Sequence, residues 1–295
     1  MIDAHFHVWQ VARGDYDWLA GEAASLRRTF SVDDWVAATA PTPVRAGVLV
    51  QATPTDAETE FVLSVARAHP DLVAGVVGWA DLAAGDAAER VERLAGEPGV
   101  VGLRPWLQAI PDPDWILAPA VGRGLRAIES ADLVYEALVR PVHLSRLVEV
   151  VRRHPGLRIV VDHAAKPDIA ADAFAPWASD LRRLAEAPTV VCKLSGLLTE
   201  AGTRTDAAAL RPYVETVLEA FGPRRVLWGS DWPVVTTVAD YPAWLAMARS
   251  LVPPEHHEAV FTTSARRAYR LATQAVAEQS AVPDGPAAAG PEVGQ

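Results

Sequence analysis

The chain has 295 residues, half of them hydrophobic and 22% charged, with 19 Gly and 23 Pro. This composition excludes a disordered, collagenous or disulfide-stapled protein, and the length admits either two domains or one large α/β barrel. Lys and Arg number 27 against 37 Asp and Glu, a net charge of −10 that disfavours nucleic acid and anionic membranes as partners.

The single cysteine, Cys192, cannot form an intrachain disulfide, which fits a reducing compartment. No apolar run reaches the roughly 20 residues that cross a bilayer. The opening Met1-Ile2-Asp3-Ala4-His5 reads as a strand rather than a signal peptide. The expectation is a cytoplasmic protein, with homo-oligomerisation left open.

In chain order, β-branched and apolar runs predict strands at 2–7, 47–52, 73–81, 100–106, 133–139, 158–163, 190–195 and 226–231. Between them, stretches of helical period fall at 56–69, 86–95, 144–154, 177–187 and 206–221, several opening near an Asp, Ser or Thr cap. Eight alternating units in one series predict a single (β/α)₈ barrel over 1–274. His69-Pro70 and His154-Pro155 read as helix stops at the bottom face, which makes both histidines structural. Residues 10–30 are too long for an ordinary βα turn and predict a flap over the barrel mouth. The Pro/Ala/Gly-rich stretch 275–295 is expected to be a disordered tail.

Active sites of such barrels lie at the C-terminal ends of the strands, so position along a strand filters the candidates. His5 and His7, two apart, send both imidazoles to one side of the first strand. Asp162-His163 ends the sixth strand and Gly229-Ser230-Asp231-Trp232-Pro233 ends the eighth. Arg104 ends the fourth, where a guanidinium suits a carboxylate or a developing oxyanion. Arg140 and His143 follow the fifth, and the only two lysines, Lys166 and Lys193, stand near the ends of the sixth and seventh. Trp106 and Trp232 offer flat apolar faces near strand ends, suited to walling a ring. His256-His257-Glu258 lacks the spacing of a helical zinc-protease motif and reads as surface. No Gly-x-Gly-x-x-Gly follows a strand, so no nucleotide cofactor is expected.

The segments Ile2-Asp3-Ala4-His5-Phe6-His7-Val8-Trp9, Val160-Val161-Asp162-His163-Ala164-Ala165-Lys166-Pro167, Cys192-Lys193-Leu194-Ser195-Gly196-Leu197 and Trp228-Gly229-Ser230-Asp231-Trp232-Pro233 together resemble the amidohydrolase superfamily. Within it they resemble the sugar-lactonase branch, of the L-fuconolactonase and L-rhamnono-lactonase type. The resemblance runs from Ile2 to about Leu271.

It implies a carboxylic ester hydrolase acting on a small-molecule lactone. His5, His7, His163 and Asp231 are implied as its core and as ligands of any metal. Arg104 and Pro105 stand near the place of a carboxylated Lys or Glu in the binuclear members, and 133–139 holds no His. One divalent cation, zinc foremost, or metal-free catalysis therefore both stay open. Where nearby lactonases more often carry a His, this chain has Pro105, and Thr263-Ser264-Ala265 replaces a Gly-Asn-Ala.

The expected reaction is hydrolysis of a sugar-acid lactone. Asp231 serves as general base on water, while Arg104, His163 or a metal stabilises the tetrahedral oxyanion. Arg104, Arg140, His143, Lys166, Trp106 and Trp232 are the expected substrate contacts. Ser195 and Ser230 show no adjacent His-Asp relay in the sequence. A metal-dependent decarboxylase and a catalytically silent sugar-acid-binding barrel are the competing readings.

Overall fold

A computed structural model describes residues 1–272 of the chain. Eight parallel strands follow one another around a sheet in chain order: β1 Ile2–Phe6, β2 Ala46–Val50, β3 Val73–Gly78, β4 Val100–Leu103, β5 Val134–Ala137, β6 Arg158–Val161, β7 Val190–Leu194 and β8 Val226–Trp228. Helices α1 Val32–Thr39, α2 Asp56–Ala68, α3 Ala87–Ala95, α4 Pro119–Ser130, α5 Leu144–Arg153, α6 Phe174–Ala185 and α7 Ala207–Phe221 make the seven crossovers, and α8 Tyr241–Leu251 follows β8. The predicted tail, 275–295, lies outside the described residues.

The sheet closes just beyond β8. Phe6 bridges Trp232 in parallel, His7 N donates to Trp232 O at 2.7 Å, and Asp231 N donates to His5 O at 2.8 Å. Asp3 reinforces this seam from one buried carboxylate. It accepts from His5 N, from Ser230 N and Oγ, from Trp35 Nε1 on α1 and from the Tyr241 hydroxyl on α8. Phe6 stacks on Trp35, with centroids 4.4 Å apart, so the same helix covers the strand that Asp3 anchors.

Inside the barrel, Ile2, Ala4, Val48, Val50, Val77, Val134, Val160 and Leu227 form an apolar floor. Short helix α9, Ser264–Tyr269, seals it with Ala265 and Tyr269. His69 and His154 each follow the last residue of a helix, α2 and α5, and the chain then enters β3 and β6. His257 sits on the periphery, with Nε2 3.0 Å from the carbonyls of Arg249 and Val252.

Residues 10–30 form a flap of helical turns, Val11–Arg13, Asp17–Gly21 and Ala24–Leu26. An antiparallel bridge between Trp9 and Phe30 pinches its base. The observed strands stop earlier than their sequence pattern, so His7, His163, Ser195 and Asp231 all lie in the turns just past a strand end. At β6 the cause is a run of left-handed backbone: His163, Ala164, Ala165 and Lys166 have φ of 52, 50, 61 and 51°. No Gly or Asn marks these positions, so propensity gives no warning of the turn.

Replacing Asp3 by Ala strands five hydrogen-bond donors at the seam and is expected to cost about 3–5 kcal/mol of stability. Tyr241→Phe, which removes one donor, is expected to cost about 1 kcal/mol. Urea unfolding checks both, and an Asp3→Ala loss no larger than that of Tyr241→Phe contradicts the seam's importance.

Candidate active site

Closure at Asp3 and Asp231 brings β1 beside the β8 turn, and the candidate residues meet above the apolar floor. His5 Nε2 lies 3.0 Å from His7 Nε2, and Asp231 Oδ1 lies 3.6, 3.5 and 4.0 Å from the Nε2 atoms of His5, His7 and His163. Two glycines make room for the rings. A Cβ on Gly196 would sit 2.7 Å from His163 Cγ and Nδ1, and one on Gly229 2.7 Å from His5 Cβ.

The far side of each ring is held separately. His7 Nδ1 is 2.7 Å from Val50 O, which only accepts; Nδ1 therefore carries the proton and Nε2 offers a lone pair inward. His163 Nδ1 meets Ser195 Oγ at 2.8 Å. His5 Nδ1 lies 3.0 Å from Lys193 Nζ and 3.4 Å from Asp162 Oδ1. Metal-binding histidines are oriented by such outer contacts. Donors bonded at about 2.0–2.1 Å to a tetrahedral ion stand about 3.3 Å apart; the separations among His5, His7 and Asp231, 3.0–3.6 Å, lie near that spacing, and Asp231 to His163, at 4.0 Å, is wider. His5, His163 and Asp231 form one candidate metal cluster, with His7 against its edge.

Beneath His5 lies a second buried group. Lys193 Nζ is 3.0 Å from both oxygens of Glu136 and 2.9 Å from Asp162 Oδ1, the latter an ion pair off the hydrogen-bond direction. The Tyr269 hydroxyl donates to Glu136. Burial and then Asp162 push the Glu136 carboxyl up to about 7, against the pull of Lys193. Burial pushes the His163 imidazole down to about 4 and, with Lys193, the His5 imidazole well below its ordinary value. Burial alone would raise the Asp231 carboxyl; His163, His7 and His5 outweigh it and hold Asp231 below the usual carboxylate range. At neutral pH the site thus presents the Asp231 carboxylate beside the neutral imidazoles of His5 and His163, a state suited to accepting a proton or a cation.

A cavity of about 180 Å³ opens above this floor. His7, His163, Asp231 and Arg104 line its base; Trp18 and Glu22 of the flap, with Trp106, Gln108 and Lys166, line its wall. Arg104 is buried, with its guanidinium bound to Gln51 O and 3.5 Å from Asp162 Oδ2. Trp106 Nε1 donates to Gln51 Oε1, and Lys166 pairs with Glu200 at 2.8 Å. A larger cavity of about 400 Å³ at the opposite end, among Arg158, Arg224 and Arg267, holds none of these groups.

Three residues singled out from the sequence stand outside the cavity lining. His143 is buried with Nδ1 accepting from Arg140 N, while Arg140 lines an adjoining hollow that shares Lys166. Trp232 is buried edge-on against Phe30, with centroids 5.4 Å apart. Ser195, without a visible partner in the sequence, does meet His163, on the ring face opposite Asp231, where it orients rather than attacks. Glu136 is not among the candidates named from the sequence, although an acid inside the apolar run 133–139 is its signal. Trp18 and Glu22 fall in the stretch 10–30 expected to cover the mouth, and Gln108 carries no signal.

The chain belongs to the amidohydrolase family, which it matches over residues 2–271. Among curated proteins it is 41% identical to an L-fucono-1,5-lactonase of Burkholderia ambifaria, over 92% of this chain and 95% of the relative. It is 34% identical to an L-fucono-1,5-lactonase of Burkholderia multivorans, over 92% and 96%. A solved amidohydrolase from Burkholderia multivorans with bound zinc superposes with a TM-score of 0.86 at 34% identity, over 92% of this chain and 99% of that one. Among the described residues no helix is long and apolar enough to cross a membrane.

Folded Glu136 keeps its proton up to about pH 7, whereas an unfolded glutamate releases it near the ordinary 4.5. The carboxyl therefore withdraws stability as pH rises across that interval. Glu136→Gln is expected to remove this decline, seen as an unfolding free energy that gains on the parent between about pH 4.5 and 7; parallel pH profiles contradict it.

Proposed function

We propose that the protein hydrolyses a small cyclic ester, a sugar-acid lactone of the L-fucono-1,5-lactone type, to its hydroxy acid. The observation that carries the chemistry is the ionised Asp231 carboxylate on the cavity floor, within 4.0 Å of three imidazole nitrogens. The substrate class is supported by the two curated L-fucono-1,5-lactonases at 41% and 34% identity along nearly their whole length.

Asp231 Oδ1 takes a proton from a water held among the imidazoles as that water attacks the ring carbonyl. Protonated Asp231 then returns the proton to the ring oxygen as the ester bond breaks, so one carboxyl serves both steps. Arg104 lies at the same base and faces the oxygen on which negative charge gathers. His163, fixed by Ser195, keeps its Nε2 toward the reacting centre. The wall residues Trp106 and Lys166 hold the ring.

One divalent cation, zinc, would draw its ligands from the Nε2 atoms of His5, His7 and His163 and from Asp231, with one position left to water. Bound there, it would acidify water and polarise the carbonyl. The buried, unpaired Cys192 and the acidic surface fit a small-molecule enzyme of the cytoplasm.

Asp231→Asn is expected to lower kcat for lactone opening about 100-fold or more with the fold intact, read as acid release. Near-parental turnover contradicts the base assignment. Paired His5→Ala and His7→Ala replacement is expected to abolish stoichiometric zinc, measured by elemental analysis of the folded protein. Full zinc content in that variant contradicts the ligand assignment.

A further inference from the structure

The chain leaving β2 holds several parts of the site. Val50 O meets His7 Nδ1, and Gln51 O binds the Arg104 guanidinium. The buried Gln51 side chain grips the end of β4 twice more: Nε2 donates to Arg104 O at 2.8 Å, and Oε1 accepts from Trp106 Nε1 at 3.1 Å. Ala52, the next residue, lines the cavity.

This segment is itself held by the flap. Ala52 N donates at 2.7 Å to Glu58 Oε1, from a fully buried carboxylate in the first turn of α2. The other oxygen, Oε2, accepts from the Tyr16 hydroxyl of the flap at 2.6 Å and lies 3.1 Å from Arg13 Nη1. Two threonines of the same turn reach the flap as well, Thr53 Oγ1 donating to Asp15 O at 2.8 Å and Thr55 Oγ1 to Asp15 Oδ2 at 3.1 Å. The N–H that Glu58 fixes and the C=O that holds Arg104 belong to one planar peptide unit, between Gln51 and Ala52, so fixing the first aims the second. Neither Glu58 nor Tyr16 lines the cavity, and both therefore act on it through the backbone they fix.

We propose that Glu58 is a positioning residue for the hydrolysis: it sets the Gln51–Ala52 peptide that aims Arg104, and docking of the flap on its second oxygen ties that aim to the seating of the flap. The assignment rests on the lactone-hydrolase reading above and identifies what orients its oxyanion group. A misplacement of about 1 Å in such a group costs up to about 100-fold in rate, even when its cause lies far from the chemistry. The flap thereby contributes alignment as well as cover.

The test is a double-mutant cycle on kcat for a sugar lactone. It is read at saturation, because Trp18 and Glu22 of the flap border the cavity and shift KM by themselves. Glu58→Leu removes both bonds; Tyr16→Phe removes only the flap's hydroxyl and carries the test if Glu58→Leu does not fold. Arg104→Met supplies the second arm, replaced by Arg104→Lys if it does not fold, and thermal unfolding confirms each fold. With Arg104 present, kcat is expected to fall about 30-fold in Glu58→Leu and about 10-fold in Tyr16→Phe. With Arg104 replaced, the same changes are expected to move kcat by no more than about twofold. Equal losses in both backgrounds, the mark of a merely structural role, overturn the assignment while the hydrolase reading survives, as does parental kcat in the folded variants. A parent inert on lactones overturns the hydrolase reading and the assignment with it.

Discussion

Asp3 accepts from five donors that sit on β1, on α1, on α8 and in the turn after β8. One buried carboxylate thus ties the first strand to the last and to the two helices that flank the seam. An eight-stranded parallel sheet left open there would expose unpaired edges of β1 and β8. The bridge between Phe6 and Trp232 is short, so side-chain bonds supply what few ladder bonds can. Ser230 is the hinge of this arrangement, since its Oγ donates to Asp3 and also accepts from Trp232 N.

The site depends on that seam because its parts come from both sides of it. His5 and His7 leave β1, Asp231 leaves the β8 turn, and Asp231 N is itself bonded to His5 O. Of the eight non-glycine residues with positive φ among the described residues, five are His163, Ala164, Ala165, Lys166 and Asp231. Backbone held in that region is strained, and it persists where surrounding structure over-determines it. Here the turn after β6 is fixed by Trp177 Nε1 donating to Ala164 O at 2.7 Å and by Ser195 on the His163 ring. Lys193, between Glu136 and Asp162, fixes His5 from below. The imidazoles are therefore set in place before any ligand arrives, as catalysis by prepositioned groups requires.

Much of this was legible in the sequence. The alternation of strands and helices names the barrel, and closure of a barrel gathers every strand end, so His5, His7, His163 and Asp231 could be grouped from widely separated motifs. Residues that act through long-range pairing could not. Asp3 reads as an ordinary polar residue of a first strand until Trp35 and Tyr241 are seen to point at it. Ser195 gains meaning only from His163, 32 residues earlier in the chain. Proximity to a strand end also misleads: His143 folds back to cap Arg140 N, and Trp232 turns under Phe30 rather than into the cavity. The left-handed run after β6 has no sequence marker at all.

In this account, water attacks the carbonyl carbon of a lactone ring while Asp231 carries the proton, and the bond from that carbon to the ring oxygen breaks. Turnover of the sugar lactone in ¹⁸O-enriched water, with mass spectrometry of the product, tests that claim most directly. The account predicts one label in the product carboxylate, with the alcohol oxygen unlabelled and no carbon dioxide released. Label in the alcohol oxygen, or release of carbon dioxide, contradicts it.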